Sequence, residues 1–198
     1  MASASASASA PADSRDRMIA SAIRLFSEHG LTATSVRDVV EHAGAPRGSV
    51  YHHFPGGKDQ LAQEAVQSAG DRIGALIDAA LAEGPVAAVD MFAAAWRVGL
   101  ERSNFRLGCP IVAVSVEAPD DPPVVLDAAA EVFAAWTGRF GAALRRAGVP
   151  RARAARLATL TVAAVEGAIV LCRAQRDTAP LDAVSCELRE TVAAALPG

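Results

Sequence analysis

Between Glu41 and Leu61 the chain reads EHAGAPRGSVYHHFPGGKDQL, and this run holds Arg47, Ser49, Tyr51, the adjacent His52 and His53, and the only lysine of the sequence, Lys58. These side chains share one competence: each donates hydrogen bonds to phosphate oxygens. The guanidinium of Arg47 also matches the paired O6 and N7 acceptors of guanine. Gly48 leaves out a side chain where one backbone must come close to another molecule. Lys58 follows the PGG break, at the head of a helix, where its ammonium and the free helix N–H groups face the same way. This is chemistry for gripping a phosphate backbone and reading base edges.

Bond-making chemistry finds no comparable set. The three cysteines, Cys109, Cys172 and Cys186, stand far apart, and no histidine follows His53 to activate them. His52 and His53 are consecutive and point about 100° apart on a helix, so they do not form the i, i+4 pair of a helical zinc site. There is no glycine-rich phosphate loop. An enzyme is excluded on these grounds, and neither a cofactor nor a metal is expected. One redox alternative stays open, with Cys109 beside Arg106 as a reactive thiol, although a lone cysteine in GCP is more often buried and inert.

The elements that position the gripping residues are helices. DSRDRMIASAIRLFSEHG sets Met18, Ile19, Ala22, Leu25 and Phe26 on one stripe and stops at Gly30. TSVRDVVEHAG opens with Ser35 and Asp38 at the capping-box spacing, turns Val36, Val39, Val40 and Ala43 inward, and ends at Gly44. PRGSVYHHF follows, with Pro46 suited to a first helical turn and Val50 and Phe54 sharing a buried face. Two short helices joined by a tight glycine-containing turn make a helix-turn-helix. A long helix then starts near Lys58, with Leu61, Ala65, Ile73, Leu76, Ile77 and Leu81 inward; at roughly 35 Å it suits a connector to a larger body. Further helices are expected at about 86–103, 110–117, 123–147, 151–176 and 181–196, separated by breaks that carry Pro or Gly.

Composition agrees with an all-α chain of about nine helices. Hydrophobic residues make up 52% and aromatics only 5% of the 198 residues, with alanine abundant. Residues 13–58 carry six Lys/Arg against five Asp/Glu and all four histidines, whereas the rest carries thirteen against seventeen. A nucleic-acid partner is therefore confined to the N-terminal part, although the net charge is −3. The low-complexity Ala/Ser segment 1–12 reads as a disordered arm and not as a secretory signal. No charge-free apolar run is long enough for a membrane span, and a reducing cytoplasm is the expected home. The expected division is an arm at 1–12, a helix-turn-helix domain at 13–60, and a ligand-binding and dimerisation domain at 61–198.

TSVRDVVEHAGAPRGSVYHHFPGGKDQL resembles the DNA-binding head of the TetR family of transcriptional repressors, whose pattern runs T/S-x-R-D-[I/V]-A-x-x-A-G-[V]-x-x-G-x-[L/V]-Y-x-[H/Y]-F followed by Lys. The likeness is dense over residues 18 to 66. It implies a dimeric, all-helical repressor of double-stranded operator DNA whose C-terminal body releases DNA when a small molecule binds. By matching positions, Arg37 and Arg47 would read bases. Thr34, Ser35, Ser49, Tyr51, His52, His53 and Lys58 would hold phosphates. Two departures stand out: Pro46 replaces the usual Ser, and PGGK is one residue longer than F-x-x-K. Both, with GCPIVAV at 108–114, are similar to a subgroup that includes repressors of multidrug-export genes.

Several residues keep a plainer reading. His29 and His42 cover helix ends. Tyr51 is either core or a phosphate contact, and Arg37 either a base reader or a surface partner of Asp38 or Glu41. For the body, the large aromatics Phe92, Trp96, Phe105, Phe133, Trp136 and Phe140 form either plain core or the stacking walls of a site for a flat, hydrophobic effector. Cys109 lies in the same region. Glu117 is a candidate partner for a cationic effector, or a surface residue before APDD. Glu166, set in an apolar helix, needs a partner; an arginine across a subunit boundary or a helix-end hydrogen bond is the favoured reading, ligand binding the other. The final two long helices carry small and aliphatic residues in quantity, which permits close packing between two copies.

Overall fold

A computed structural model describes residues 14–118 and 123–197; the Ala/Ser arm lies outside the described residues. Among them the chain is all-helical, with nine helices and no strand. They are α1 (Ser14–His29), α2 (Val36–His42), α3 (Ser49–His53), α4 (Gly57–Ala82), α5 (Pro85–Arg102), α6 (Pro110–Glu117), α7 (Val124–Arg146), α8 (Arg151–Gln175) and α9 (Ala179–Ala193).

The α1 stripe buries as its spacing predicts: Met18, Ala22 and Phe26 are fully enclosed. α1 ends at Gly30, whose φ of 88° belongs to the left-handed region. The capping box of α2 is present in both halves: Ser35 Oγ accepts from the Asp38 N–H at 3.2 Å, and Asp38 accepts from the Ser35 N–H at 2.8 Å. The Ser35 hydroxyl, which also donates to the Asp38 carboxylate at 2.7 Å, and then the Ser35 N–H hold that carboxyl below its usual range. α3 is shorter than the sequence implies. The N–H and the Oγ of Ser49 both return to the Pro46 carbonyl, at 2.9 and 2.7 Å. This i→i+3 closure makes residues 46–48 a turn, so Pro46, Arg47 and Gly48 precede the helix and do not form its first turn.

α4 crosses from the small helices into the body and packs along α1, α5 and α7. Its contact with α7 is close because of Gly70, where an added Cβ would stand 2.4 Å from Val132. Trp136 of α7 donates its ring N–H to the Gly70 carbonyl at 3.0 Å, satisfying a buried polar atom. One expected inward residue of α4 faces outward: Leu76 is 55% exposed. α9 begins two residues earlier than expected, because Pro180 fits a first helical turn, where its missing N–H is not needed. α8 is long and apolar enough to cross a membrane, yet half of that span is buried against the rest of the fold, chiefly α7 and α9.

Candidate nucleic-acid interface and ligand cavity

Arg37 on α2, Arg47 in the turn and Tyr51 on α3 are exposed and line one open depression together with Glu41. Tyr51 is 69% exposed, which rules out its reading as core. The geometry explains the exposure. Val39, Val40 and Val50 anchor the inner faces of the two short helices, so positions 37, 47 and 51 are left outward. Gly48 and His52 are also exposed, and no Cβ at Gly48 would meet a neighbour. Lys58 lies half-buried in the first turn of α4, whose N-terminus has no side-chain cap. The Gly56 N–H is taken by Gln60 Oε1 at 2.8 Å and the Gly57 N–H by the Phe54 carbonyl at 2.9 Å, which leaves the following N–H groups of the first turn for an anion.

Four expected phosphate contacts are engaged elsewhere, among them Ser49, whose hydroxyl donates to the Pro46 carbonyl at 2.7 Å. Thr34 is buried and its hydroxyl donates to the Gly30 carbonyl at 2.7 Å, closing the α1–α2 loop. Ser35 gives its hydroxyl to Asp38 at 2.7 Å, within its own cap. His53 Nε2 lies 2.7 Å from Ser14 Oγ and so ties α3 to the start of α1. Arg15 completes that seam, over the Phe54 ring at 5.4 Å and paired with Glu64 at 2.5 Å. His42, read as a helix-end residue, is within 2.9 Å of Ser21 Oγ and braces α2 on α1.

In the body, a cavity of about 240 Å³ opens between α1, α4 and α5. Phe92 and Trp96 form one wall, edge to face with ring centroids 6.4 Å apart. Ile73 and Leu76 of α4 form another, and Leu107, Gly108 and Pro110 close the end. Arg72 is at its exposed edge. Ile23 and Ser27 of α1 also line it, and these two were not foreseen; the available signal was Ile23, an apolar side chain beside the main α1 stripe. A second, water-sized chamber of about 10 Å³ lies deeper, lined by Trp136, Phe140 and Glu166, and Phe92 belongs to the walls of both.

The remaining body candidates divide. Phe105 and Phe133 line neither cavity; Phe105 sits in a left-handed loop conformation with φ 58°, and Phe133 packs edge to face on Trp136 at 5.6 Å. Glu117 is at the junction with the small helices, accepting from the Thr32 N–H at 2.7 Å, so it is occupied and far from a cation-binding role. Cys109 is buried against Glu166, and burial first, then the neighbouring carboxylate, push its thiol well above the ordinary value. That environment opposes a redox-sensing thiolate. Burial also pushes the Glu166 carboxyl up to about 7, against the smaller opposing effect of the Cys109 hydrogen bond. Within this protomer, among the described residues, Glu166 Oε2 has no hydrogen-bond partner, so no helix-end donor of its own chain reaches it.

Among the described residues, nine helices with an exposed helix-turn-helix at one end and a cavity in the helical body form the architecture of a helix-turn-helix transcriptional regulator. Residues 18–65 match the family described as bacterial regulatory proteins, tetR family, and residues 85–187 match the LmrA/YxaF-like transcriptional regulator C-terminal domain. An uncharacterised HTH-type transcriptional regulator of Mycobacterium tuberculosis is 45% identical, covering 92% of this chain and 96% of the relative. The HTH-type transcriptional regulator LmrA of Bacillus subtilis is 29% identical, covering 85% and 91%. A TetR transcriptional regulator from Chloroflexus aurantiacus, solved by crystallography, superposes with a TM-score of 0.77 at 27% identity, covering 93% of this chain and 96% of that one. The chain belongs to the TetR family of transcriptional regulators.

Proposed function

We propose that this regulator is a homodimeric repressor that grips a palindromic operator in cytoplasmic DNA and is released by a small hydrophobic effector, with no membrane partner. In this reading residues 13–60 are the DNA-reading domain and 61–198 the ligand-binding and dimerisation domain. The observation that carries it is the exposure of Arg37, Arg47 and Tyr51 around one depression. Arg47 and Arg37 read base edges, while Tyr51, His52 and Lys58, with the first turn of α4, hold phosphates. Pro46 and Ser49 shape the turn that presents Arg47.

Dimerisation is supported by an apolar stripe on the outer face of α8. Leu160, Ala163, Gly167, Val170 and Ala174 repeat at three- and four-residue spacing and are all exposed in the protomer. Nothing lies within 4 Å of a Cβ at Gly167, which leaves room for a second backbone. Release is supported by the position of the 240 Å³ cavity, whose wall includes Ile23 and Ser27 of α1. An occupant there presses directly on the helix that carries the DNA-reading pair.

The test is binding of the full chain to its own promoter fragment across a salt series. Arg47→Ala is expected to weaken specific binding by about 1–3 kcal/mol and blur base preference. Lys58→Ala weakens all sequences alike and reduces the salt slope by about one. Equal loss of specificity from both substitutions contradicts this division, and salt-insensitive binding contradicts the function. Val170→Arg, at a half-exposed position, is expected to give a folded monomer in sedimentation.

A further inference from the structure

Among the described residues Glu166 is the only charged side chain that is buried. A carboxylate in that position with an unmet lone pair is costly, and the groups around it do not relieve the cost. The Thr161 hydroxyl is committed to the Leu157 carbonyl at 2.8 Å, and the Trp136 ring N–H to the Gly70 carbonyl at 3.0 Å. Only the Cys109 thiol, a weak donor, bonds to it. The chamber it lines admits about one water and nothing larger. Phe92, however, is the one residue that lines both this chamber and the 240 Å³ cavity.

We propose that the outer cavity binds a lipophilic amine, whose ring body fills the apolar space beside Trp96 and whose ammonium passes a displaced Phe92 to pair with Glu166. This rests on the reading of the cavity as the effector site and adds the chemical class of the effector. The site is short of two things that an ammonium supplies together: hydrogen-bond donors and positive charge. Trp136 and Phe140 line the chamber with Glu166, and either ring, turned with its face to the ammonium, would favour a cation further. An anion meets like charge there, and a neutral hydroxyl supplies a donor without charge. Arg72 is the one charged group on the outer cavity, and it lies in solvent, where its repulsion is screened.

The experiment measures equilibrium binding of three naphthalene compounds, 1-naphthylmethylamine, 1-naphthylmethanol and 1-methylnaphthalene, to the full chain and to Glu166→Gln. The amine is expected to bind wild type at least about tenfold tighter than either neutral compound, and Glu166→Gln to remove that advantage while leaving 1-methylnaphthalene unchanged. Amine affinity should also fall from pH 8 to pH 6, since the proton must leave Glu166; Cys109 stays protonated throughout, and no other titratable side chain lines the inner chamber. If all three compounds bind alike and Glu166→Gln changes nothing, the amine assignment is overturned while the cavity keeps its role. If none binds, the effector-site reading falls with it. Should Glu166→Gln fail to fold, the wild-type ranking and its pH dependence still decide.

Discussion

Glu117, the last residue of α6, accepts a hydrogen bond at 2.7 Å from the backbone N–H of Thr32, 85 positions away in the α1–α2 loop. Two further bonds join the same end of α1 to the body. The Gly108 N–H donates to the Ser27 carbonyl at 2.9 Å, and Arg173 donates to the Glu28 carbonyl at 3.2 Å. Ser27 and Gly108 are also walls of the 240 Å³ cavity. The cavity and the loop that leads into the DNA-reading pair are therefore mechanically continuous. These hydrogen bonds are the path along which a displacement of α6 or α1 would travel to the α1–α2 loop.

Glu117→Ala removes that bond but leaves an exposed N–H that water can satisfy. The expected loss of stability is about 1 kcal/mol, with faster amide hydrogen exchange at Thr32 as the specific readout. Unchanged exchange at Thr32 would dissolve the link.

Gly30→Ala strikes the same joint from the other side. Its φ of 88° is unfavourable for alanine, and the new Cβ would lie 2.2 Å from Glu117 Oε1. A loss of about 1–3 kcal/mol is expected in urea unfolding. Combining it with Glu117→Ala should recover the part due to overlap but not the part due to φ, and a double-mutant cycle separates the two.

The contact between α4 and α7 makes a second packing prediction. Gly70→Ala improves intrinsic helix propensity by about 1 kcal/mol yet drives a methyl to within 2.4 Å of Val132. Overpacking of a core costs about 1–3 kcal/mol, so the net effect is destabilising. Val132→Ala in the same chain should turn Gly70→Ala into a neutral or stabilising change. A Gly70→Ala protein that melts higher than wild type would show that α4 and α7 are not pressed together here.

How much of this was legible in the sequence follows from the range of the interactions. The existence of each helix, the Ser35–Asp38 cap and the inward stripe of α1 depend on neighbours within four residues, and the spacing revealed them. The start of α3 was not legible in this way, because Ser49 closes back on the Pro46 carbonyl. Arg37 and Arg47 could be read as outward because the buried valines between them fix their faces, whereas Tyr51 stays open between core and contact until its exposure is known. Thr34 and His53 could not, since their partners, the Gly30 carbonyl and Ser14, are set by loop closure and by docking of α3 on α1. Glu117 failed for the same reason at longer range. For Glu166 the sequence showed a charge out of place; that its neighbours leave it unpaired emerges only when α5, α7 and α8 are together.

Cys109 should behave as an inert thiol. It is 4% exposed, and burial and the Glu166 carboxylate push its pKa in the same upward direction. Only the thiolate reacts appreciably. Iodoacetamide is expected to label Cys109 no faster than global unfolding exposes it. Labelling of native protein at the rate of a free thiol would restore the redox alternative.

The titration of Glu166 should appear in the stability of the empty protein. Its carboxyl is held at about 7 in the fold against an ordinary 4.5, chiefly by burial. Between those values the folded chain binds more protons than the unfolded one, so stability falls as pH rises through the window and levels off above it. The gap corresponds to at most about 3 kcal/mol. Asp38, shifted the opposite way, acts only at and below its ordinary 3.8, outside this range. Urea midpoints are therefore expected to be higher at pH 5 than at pH 8. Glu166→Gln should remove this component of the slope and be more stable than wild type at pH 8, because the amide carries no buried charge. A variant with the wild-type slope would mean that Glu166 is hydrated in solution, and a saturating lipophilic amine, which keeps the carboxylate charged and paired, should flatten the wild-type slope as well.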